Sequence, residues 1–193
     1  MYKEIIDGYG INNENKEQAF TQMSAFLYEQ LDRQTDTELI DRKNRIGHFT
    51  ASAFVVSLTS RAVLMVRHNV LNRFLQPGGH IEAQDKTPLD AAKRELREET
   101  GVNADTLTYY AAVQSNPLIP FNISIHQIPE NKVKNEKMHY HYDLQYLFSS
   151  ESDLNVMIDT TESGAFKWIG WREFKKIPEY KNAAKKIERM LLK

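Results

Sequence analysis

The stretch PGGHIEAQDKTPLDAAKRELREETGV, residues 77–102, carries the most information in the chain. Its second half predicts a helix over 88–100 with both ends marked. Thr87 is placed to cap the N-terminus, Pro88 occupies the first helical position, and Asp90 stands where a capping box has its acidic partner. Gly101 follows in the position where helices commonly end on a left-handed residue.

Three glutamates share one face of this predicted helix. Glu95, Glu98 and Glu99 fall within an arc of about 100° at 3.6 residues per turn. Like charges at this spacing repel one another, and the C-terminal end of a helix disfavours negative charge. A divalent cation bound by oxygen ligands would remove both penalties. The alternative is a solvated charged face, with the interleaved lysine and arginine side chains as partners.

The residues before the helix favour the cation. Gln76, Pro77, Gly78 and Gly79 predict a sharp turn whose backbone approaches a ligand closely, because glycine has no side chain in the way. A short strand, a Gly-Gly turn and a helix with three glutamates suit a metal-bound diphosphate.

This segment resembles the Nudix box, G-x5-E-x7-R-E-U-x-E-E-x-G-U, where U is aliphatic. The matching residues are Gly79, Arg94, Glu95, Leu96, Glu98, Glu99, Gly101 and Val102. One departure is an extra residue in the loop before the helix. Counting forward from Gly79 places Asp85 at the first glutamate of the box, whereas counting back from Arg94 places Lys86 there. Asp85 and Glu82 are both candidates for the missing carboxylate.

The resemblance implies an α+β fold: a Nudix α/β/α sandwich with a mixed β-sheet over residues 46–193, preceded by an N-terminal helical extension over 1–45. It also implies hydrolysis of a phosphoanhydride in a nucleoside diphosphate linked to another group, as in an NTP, an NDP-sugar or ADP-ribose. Mg²⁺ or Mn²⁺ would be the cofactor and a small-molecule nucleotide diphosphate the substrate.

Site roles follow from the same resemblance. Glu98 and Glu99 would be the principal metal ligands, Glu95 a further ligand or the general base, and Arg94 the residue that orients a glutamate. The Gly79 carbonyl and the Asp85 carboxylate would complete the metal site.

Two other functions stay open at this point. A non-catalytic Nudix-fold module would sense a nucleotide without cleaving it, although the intact glutamates count against this. A diphosphate isomerase of the isopentenyl type would use the same fold, but the chain has no cysteine.

A second group of polar residues lies beyond the helix. His139, His141 and Asp143 alternate and therefore share one face of a predicted strand, with His126 on the strand-like run before it. His80 follows the glycine pair. These five residues are candidates for substrate binding, and the histidine strand is also a candidate second metal site. An ordinary strand with polar residues facing solvent is the alternative.

The remaining composition predicts a soluble, cytoplasmic protein. The 193 residues contain 25 Lys and Arg against 26 Asp and Glu, and this balance argues against a broad basic surface for DNA or RNA. No segment is apolar for the roughly 18 residues of a membrane span, and the N-terminus has no signal-peptide pattern. A helix is predicted within 16–33 and another from about residue 180, while the sequence leaves monomer and homodimer both open.

Overall fold

The computed structural model describes residues 1–13, 18–31, 38–68, 72–130, 137–152, 154–157 and 163–192. The helices are α1 (Tyr2–Asn12), α2 (Gln18–Leu31), α3 (Pro88–Thr100), α4 (Trp171–Phe174) and α5 (Lys181–Leu191). The strands are β1 (Gly47–Ser57), β2 (Ala62–His68), β3 (Arg73–Leu75), β4 (Gly78–His80), β5 (Thr108–Tyr110), β6 (Asn122–Ile128), β7 (His139–Ser150) and β8 (Ser163–Gly170). Short 3₁₀ turns lie at Glu38–Ile40, Ala104–Thr106 and Pro178–Tyr180.

The sheet is mixed, as predicted, and β1 lies at its centre. β1 pairs with β7 in parallel along its whole length, from Gly47 opposite Tyr140 to Ser57 opposite Ser150. It pairs antiparallel with β2 at its end and with the short β4 near its beginning. β6 and β5 pair with β7, and β3 and β8 pair with β2.

The two faces of β1 are covered by different helices. Phe49, Ala51, Ala53 and Val55 belong to a core cluster that includes residues of α1, α2 and α3. Phe54 and Val56, on the opposite face, pack with residues of α4 and α5. A strand that is covered on both faces is apolar at successive positions, which explains the run AFVV in β1. The result is the predicted sheet between helical layers.

The N-terminal helices share the core of the sheet. The ring of Tyr2 stacks on Phe49 at 4.9 Å between centroids, and the ring of Phe26 stacks on Tyr142 at 4.1 Å. α1 was not predicted, because its two glycines and scattered polar residues weaken the helical pattern. The 1–45 and 46–193 division remains a prediction, but α1 and α2 pack against the sheet as one of its covering layers.

Two strand-like runs of the sequence form shorter strands than their length predicts. The runs at 107–113 and 118–128 form strands only at Thr108–Tyr110 and Asn122–Ile128. Asn116 explains the gap, because its side-chain oxygen accepts from the Leu118 N–H at 3.1 Å and its carbonyl from the Ile119 N–H at 3.2 Å, which holds a turn. The polar and charged segment 129–137 predicts an exposed loop, and its residues 131–136 lie outside the described part of the chain.

Among the described residues, the structure contains no helix with the length and apolar character that crossing a membrane requires.

Candidate catalytic site

Helix α3 is capped as the sequence predicts. The Thr87 hydroxyl accepts a hydrogen bond from the Asp90 N–H at 3.1 Å and donates to the Asp90 carboxylate at 2.8 Å. Gly101 closes the helix with φ of 70°, and its N–H donates to the Arg97 carbonyl. Ala91, Ala92 and Leu96 are buried against the sheet. These contacts fix which face of α3 meets the neighbouring strand.

The glycine pair lies in strand β4, and the sharp turn predicted there is wrong. Gly78 and Gly79 pair antiparallel with Ser52 and Ala51 of β1. Close approach is the reason for glycine here. A Cβ on Gly78 would lie 2.3 Å from the Ser52 Cβ, and a Cβ on Gly79 would lie 2.6 Å from a Glu95 carboxylate oxygen. The backbone of β4 therefore lies directly against the glutamates of α3.

Two of the three glutamates are buried between α3 and β4. Glu95 and Glu99 are each 7% exposed, and the Gly78 N–H donates to Glu99 Oε2 at 2.9 Å. Glu98, about one turn after Glu95, lies at the surface with a side chain that is 48% exposed. The structure thus brings Glu95 and Glu99 together against the backbone of β4.

Arg94 connects this group to the loop before the helix. The Nη1 atom of Arg94 donates to Glu95 Oε1 and to Glu98 Oε2, both at 2.9 Å. Its Nη2 atom donates to the His80 carbonyl at 2.8 Å and to Asp85 Oδ2 at 2.9 Å. Hydrogen bonding to Asp85, and then the charge of Glu95, raises the pKa of Arg94 above its usual value despite its partial burial. Arg94 therefore contacts two of the three glutamates, and its role in orienting them for catalysis stays a prediction.

Asp85 is the ion-pair partner of Arg94. Its Oδ1 accepts a hydrogen bond from Arg94 Nε at 3.1 Å. Its Oδ2 accepts from Arg94 Nη2 at 2.9 Å and from the Glu82 N–H at 2.8 Å. The Asp85 side chain is only 5% exposed. Glu82 instead points toward Arg42, 3.8 Å away. The geometry favours an ion-pair role for Asp85, and its role as a metal ligand stays a prediction.

The oxygen atoms of this site fit a hard divalent cation. One guanidinium group contacts three carboxylates, those of Asp85, Glu95 and Glu98, and one positive charge does not balance three negative ones. The Glu95 carboxylate occupies the space that a side chain on Gly79 would fill, so this carboxylate lies directly against the backbone of β4. Carboxylate and carbonyl oxygens are the ligands that Mg²⁺ and Mn²⁺ prefer. Glu95, Glu98, Glu99 and the Gly79 carbonyl are the groups that would hold it.

The predicted histidines do not all meet. His139, His141 and His80 cluster around a fourth histidine, His48, with ring centroids 4.6–5.2 Å from His48. His126 lies opposite His141 in the sheet but is exposed, and its Nε2 is 2.9 Å from the Ser124 hydroxyl. His126 is therefore outside the cluster.

Asp143 belongs to a separate buried network. It is 4% exposed and accepts hydrogen bonds from Thr50 at 3.1 Å, Ser52 at 2.7 Å, Gln145 at 3.0 Å and Gln76 at 3.3 Å. These donors satisfy the carboxylate without a histidine. Asp143 thus shares a face with His139 and His141, as predicted, but lies in a polar patch of its own.

The sequence argument missed His48. It stands in an apolar run, and only the parallel pairing of β1 with β7 places it directly opposite His141. That register joins residues far apart in sequence, so no local pattern reveals it. Burial lowers the pKa of His48 to about 4 and lowers the pKa of His141 further still, with the neighbouring histidines contributing to both shifts. Both imidazoles are therefore neutral at pH 7.

Comparisons with known proteins place the chain by sequence and by fold. The chain matches the NUDIX domain over residues 48–191. The probable DHNTP pyrophosphohydrolase of Lactococcus lactis subsp. cremoris (strain MG1363) is 31% identical over 159 residues, which cover 79% of this chain and 84% of that protein.

Two solved structures share the fold. The E. coli dihydroneopterin triphosphate pyrophosphohydrolase superposes with a TM-score of 0.55 at 16% identity, covering 75% of this chain and 94% of the other. The NUDIX domain of Shewanella oneidensis NrtR, in complex with ADP ribose, superposes with a TM-score of 0.51 at 15% identity, covering 85% of this chain and 97% of the other.

Proposed function

Because this chain belongs to the Nudix family, we propose that it is a divalent-metal-dependent pyrophosphohydrolase that cleaves a phosphoanhydride of a nucleotide-type triphosphate. The observation that carries the proposal is the contact between β4 and α3. There the Glu95 carboxylate lies where a Gly79 side chain would be, and Glu99 accepts from the Gly78 N–H. This contact holds two carboxylates of α3 against the backbone of β4.

Each residue of the site has a distinct task in this proposal. Glu98, the exposed carboxylate, and Glu99 hold the cation, while Glu95 is a further ligand or accepts the proton of the attacking water. Arg94 fixes the side chains of Glu95 and Glu98, and Asp85 fixes Arg94. When bound, Mg²⁺ or Mn²⁺ supplies charge neutralisation on the diphosphate and lowers the pKa of a bound water.

Dihydroneopterin triphosphate is the substrate that we propose first. The support is the name of the Lactococcus relative, which shares 31% of its residues over most of both chains.

The test is a turnover assay with Mg²⁺ or Mn²⁺ over a panel of substrates, in which pyrophosphate is measured directly and phosphomonoester products are measured as phosphate after treatment with alkaline phosphatase. The panel contains dihydroneopterin triphosphate, the four NTPs, an NDP-sugar and ADP-ribose. We expect pyrophosphate release to be fastest with dihydroneopterin triphosphate and to stop in EDTA. Turnover of ADP-ribose alone would contradict the substrate, and turnover in EDTA would contradict the metal dependence.

A matched pair of variants tests the site itself. Glu98→Gln should lower kcat by at least about 10²-fold, because a carboxylate that holds the cation is lost while the fold is kept. Glu173→Gln is the control, because this glutamate is exposed on α4 and pairs with Lys167. Equal activity of the two variants would refute the assignment. Nucleotide binding with no turnover of any substrate would favour the sensing module.

The protein is further proposed to be cytoplasmic and to work as a monomer or homodimer on a small-molecule substrate without binding DNA or RNA. Light scattering tests the oligomeric state, and an electrophoretic mobility assay at physiological salt tests the statement that the protein does not bind DNA or RNA.

A further inference from the structure

Three imidazoles converge where β1 and β7 begin. We propose that His48, His139 and His141 form a binding site for a divalent transition metal of the Zn²⁺ class, separate from the carboxylate site on α3. One nitrogen of each ring lies within 4.8 Å of one nitrogen of each other ring. This site is independent of the proposed hydrolase activity.

The spacing of two nitrogens already fits tetrahedral coordination. His139 Nε2 and His141 Nε2 are 3.3 Å apart. Two ligands at a Zn–N distance of about 2.0–2.1 Å, separated by a tetrahedral angle, lie about 3.3–3.4 Å apart. His48 offers the third nitrogen within the 4.8 Å limit, so binding requires the rings to draw closer together.

The hydrogen bond behind His139 sets the correct tautomer. His139 Nδ1 lies 2.8 Å from the Lys137 carbonyl, and a carbonyl only accepts hydrogen bonds. Nδ1 therefore carries the proton, and the lone pair of Nε2 faces His141. Histidines that bind metals characteristically donate their second ring N–H to a carbonyl or carboxylate in this way.

The environment of His48 is the strongest indication that this cluster binds a ligand. It is 1% exposed, and neither ring nitrogen has a hydrogen-bonding partner among the described residues. A buried polar group without a partner is costly, and native structures normally satisfy such groups. A metal ion coordinated by one nitrogen would satisfy it.

The cluster lies on the sheet face opposite α3. Side chains alternate along a strand, so His48 points away from Phe49, which packs in the core cluster that contains α3 residues. In β4, likewise, Gly79 faces Glu95 and His80 lies on the other side. The centroid of the His80 ring lies 5.0 Å from that of His48 and 5.1 Å from that of His141, so His80 adjoins the cluster.

The ligand type separates the two sites chemically. Neutral imidazole nitrogens suit Zn²⁺, Co²⁺, Ni²⁺ and Cu²⁺, whereas Mg²⁺ prefers oxygen ligands. The histidine site should therefore hold Zn²⁺ in the presence of excess Mg²⁺. A metal here would also tie β1 to β7, so binding should raise the Tm.

The experiment uses the full chain without a histidine tag, stripped with EDTA, dialysed and titrated with Zn²⁺ in buffer that contains millimolar Mg²⁺. We expect one equivalent to bind. His48→Gln and His141→Gln should each weaken binding by more than the roughly 10–100-fold that loss of an outer-shell hydrogen bond costs. His126→Gln, which changes the exposed histidine opposite His141, and Glu98→Gln, which changes the carboxylate site, should bind as the wild type does.

X-ray absorption of the Zn²⁺-loaded wild-type chain gives a measurement that does not depend on the variants folding. A shell of imidazole nitrogens at about 2.0–2.1 Å supports the proposal. An oxygen shell would overturn it, as would the absence of Zn²⁺ binding or binding that is lost in Glu98→Gln but kept in His48→Gln. Because activity is not measured, these outcomes are separate from those that test the hydrolase.

Discussion

Substituting Gly79 by alanine should damage the catalytic site while leaving the fold intact. The new Cβ would lie 2.6–2.8 Å from the three atoms of the Glu95 carboxyl group. Carbon and oxygen atoms in ordinary contact are about 3.4 Å or more apart, so the carboxylate must retreat by about 0.8 Å. The carboxylate is the end of the flexible Glu95 side chain, so it can move without a shift of the backbone.

The expected loss follows from that displacement. Misplacement of a catalytic group by about 1 Å costs up to roughly 10²-fold, so kcat/KM should fall by about 10–100-fold. Stability should change by less than about 1 kcal/mol, because Gly79 lies in a strand and needs no left-handed backbone. The measurements are pyrophosphate release with the best substrate of the panel and thermal unfolding by circular dichroism.

Two other glycine-to-alanine variants separate the effect on activity from the effect on stability. Gly78→Ala would place a Cβ 2.7 Å from the Ser52 Cα and 2.8 Å from the Ala51 carbonyl oxygen, so the backbone itself must move. It should cost about 1–3 kcal/mol or more. Gly170→Ala meets nothing within 4 Å and is the neutral control.

The reasoning about Gly79 would fail in either of two ways. Wild-type kcat/KM in Gly79→Ala would mean that the position of Glu95 does not matter for turnover. A fall in Tm as large as that of Gly78→Ala would mean that the substitution disturbs the pairing of β4 with β1.

Three further predictions concern the helix, its arginine and the core. Thr87→Ala removes the acceptor of the Asp90 N–H and should lower the free energy of unfolding by about 0.5–2 kcal/mol, measured in urea. Arg94→Lys loses the two-point contact with Asp85, so the free energy of unfolding should fall by at least about 1 kcal/mol and kcat should fall as well. A variant with the Tm and kcat of the wild type would contradict the ion-pair role. Burial raises the pKa of Tyr142 to about 12, so ionisation favours the unfolded chain and stability should fall as the pH rises from 10 to 12. Tyr142→Phe should flatten that decline, and an unchanged slope of the urea midpoint against pH would exclude Tyr142 as its cause.

Much of the fold could be predicted because its signals are local. Thr87, Pro88 and Gly101 mark both ends of α3, and the structure places the helix between them. The grouping of Glu95 and Glu99 likewise follows from helical periodicity. These local signals do not show which element packs against each face of a helix or strand, because that depends on how the whole sheet is assembled.

The errors came from contacts between distant segments. The glycine pair suggested a turn because glycine permits one, yet Gly78 is a strand residue pressed against Ser52. The ion pair of Asp85 with Arg94 was not predicted, because it depends on how the longer loop before α3 folds. His48 was missed because its partner, His141, lies on a strand that no local pattern connects to β1.

The parallel pairing of β1 with β7 also sets the order in which the protein can fold. Gly47 and Tyr140 must meet across the whole intervening chain, and a ribosome that adds about 5–20 residues per second needs several seconds to supply it. During that interval β1 has been made but lacks its main partner. α1 and α2 are already present, and their contacts with Phe49 can cover this aromatic side chain early. The N-terminal segment would then act during synthesis as a shield against aggregation.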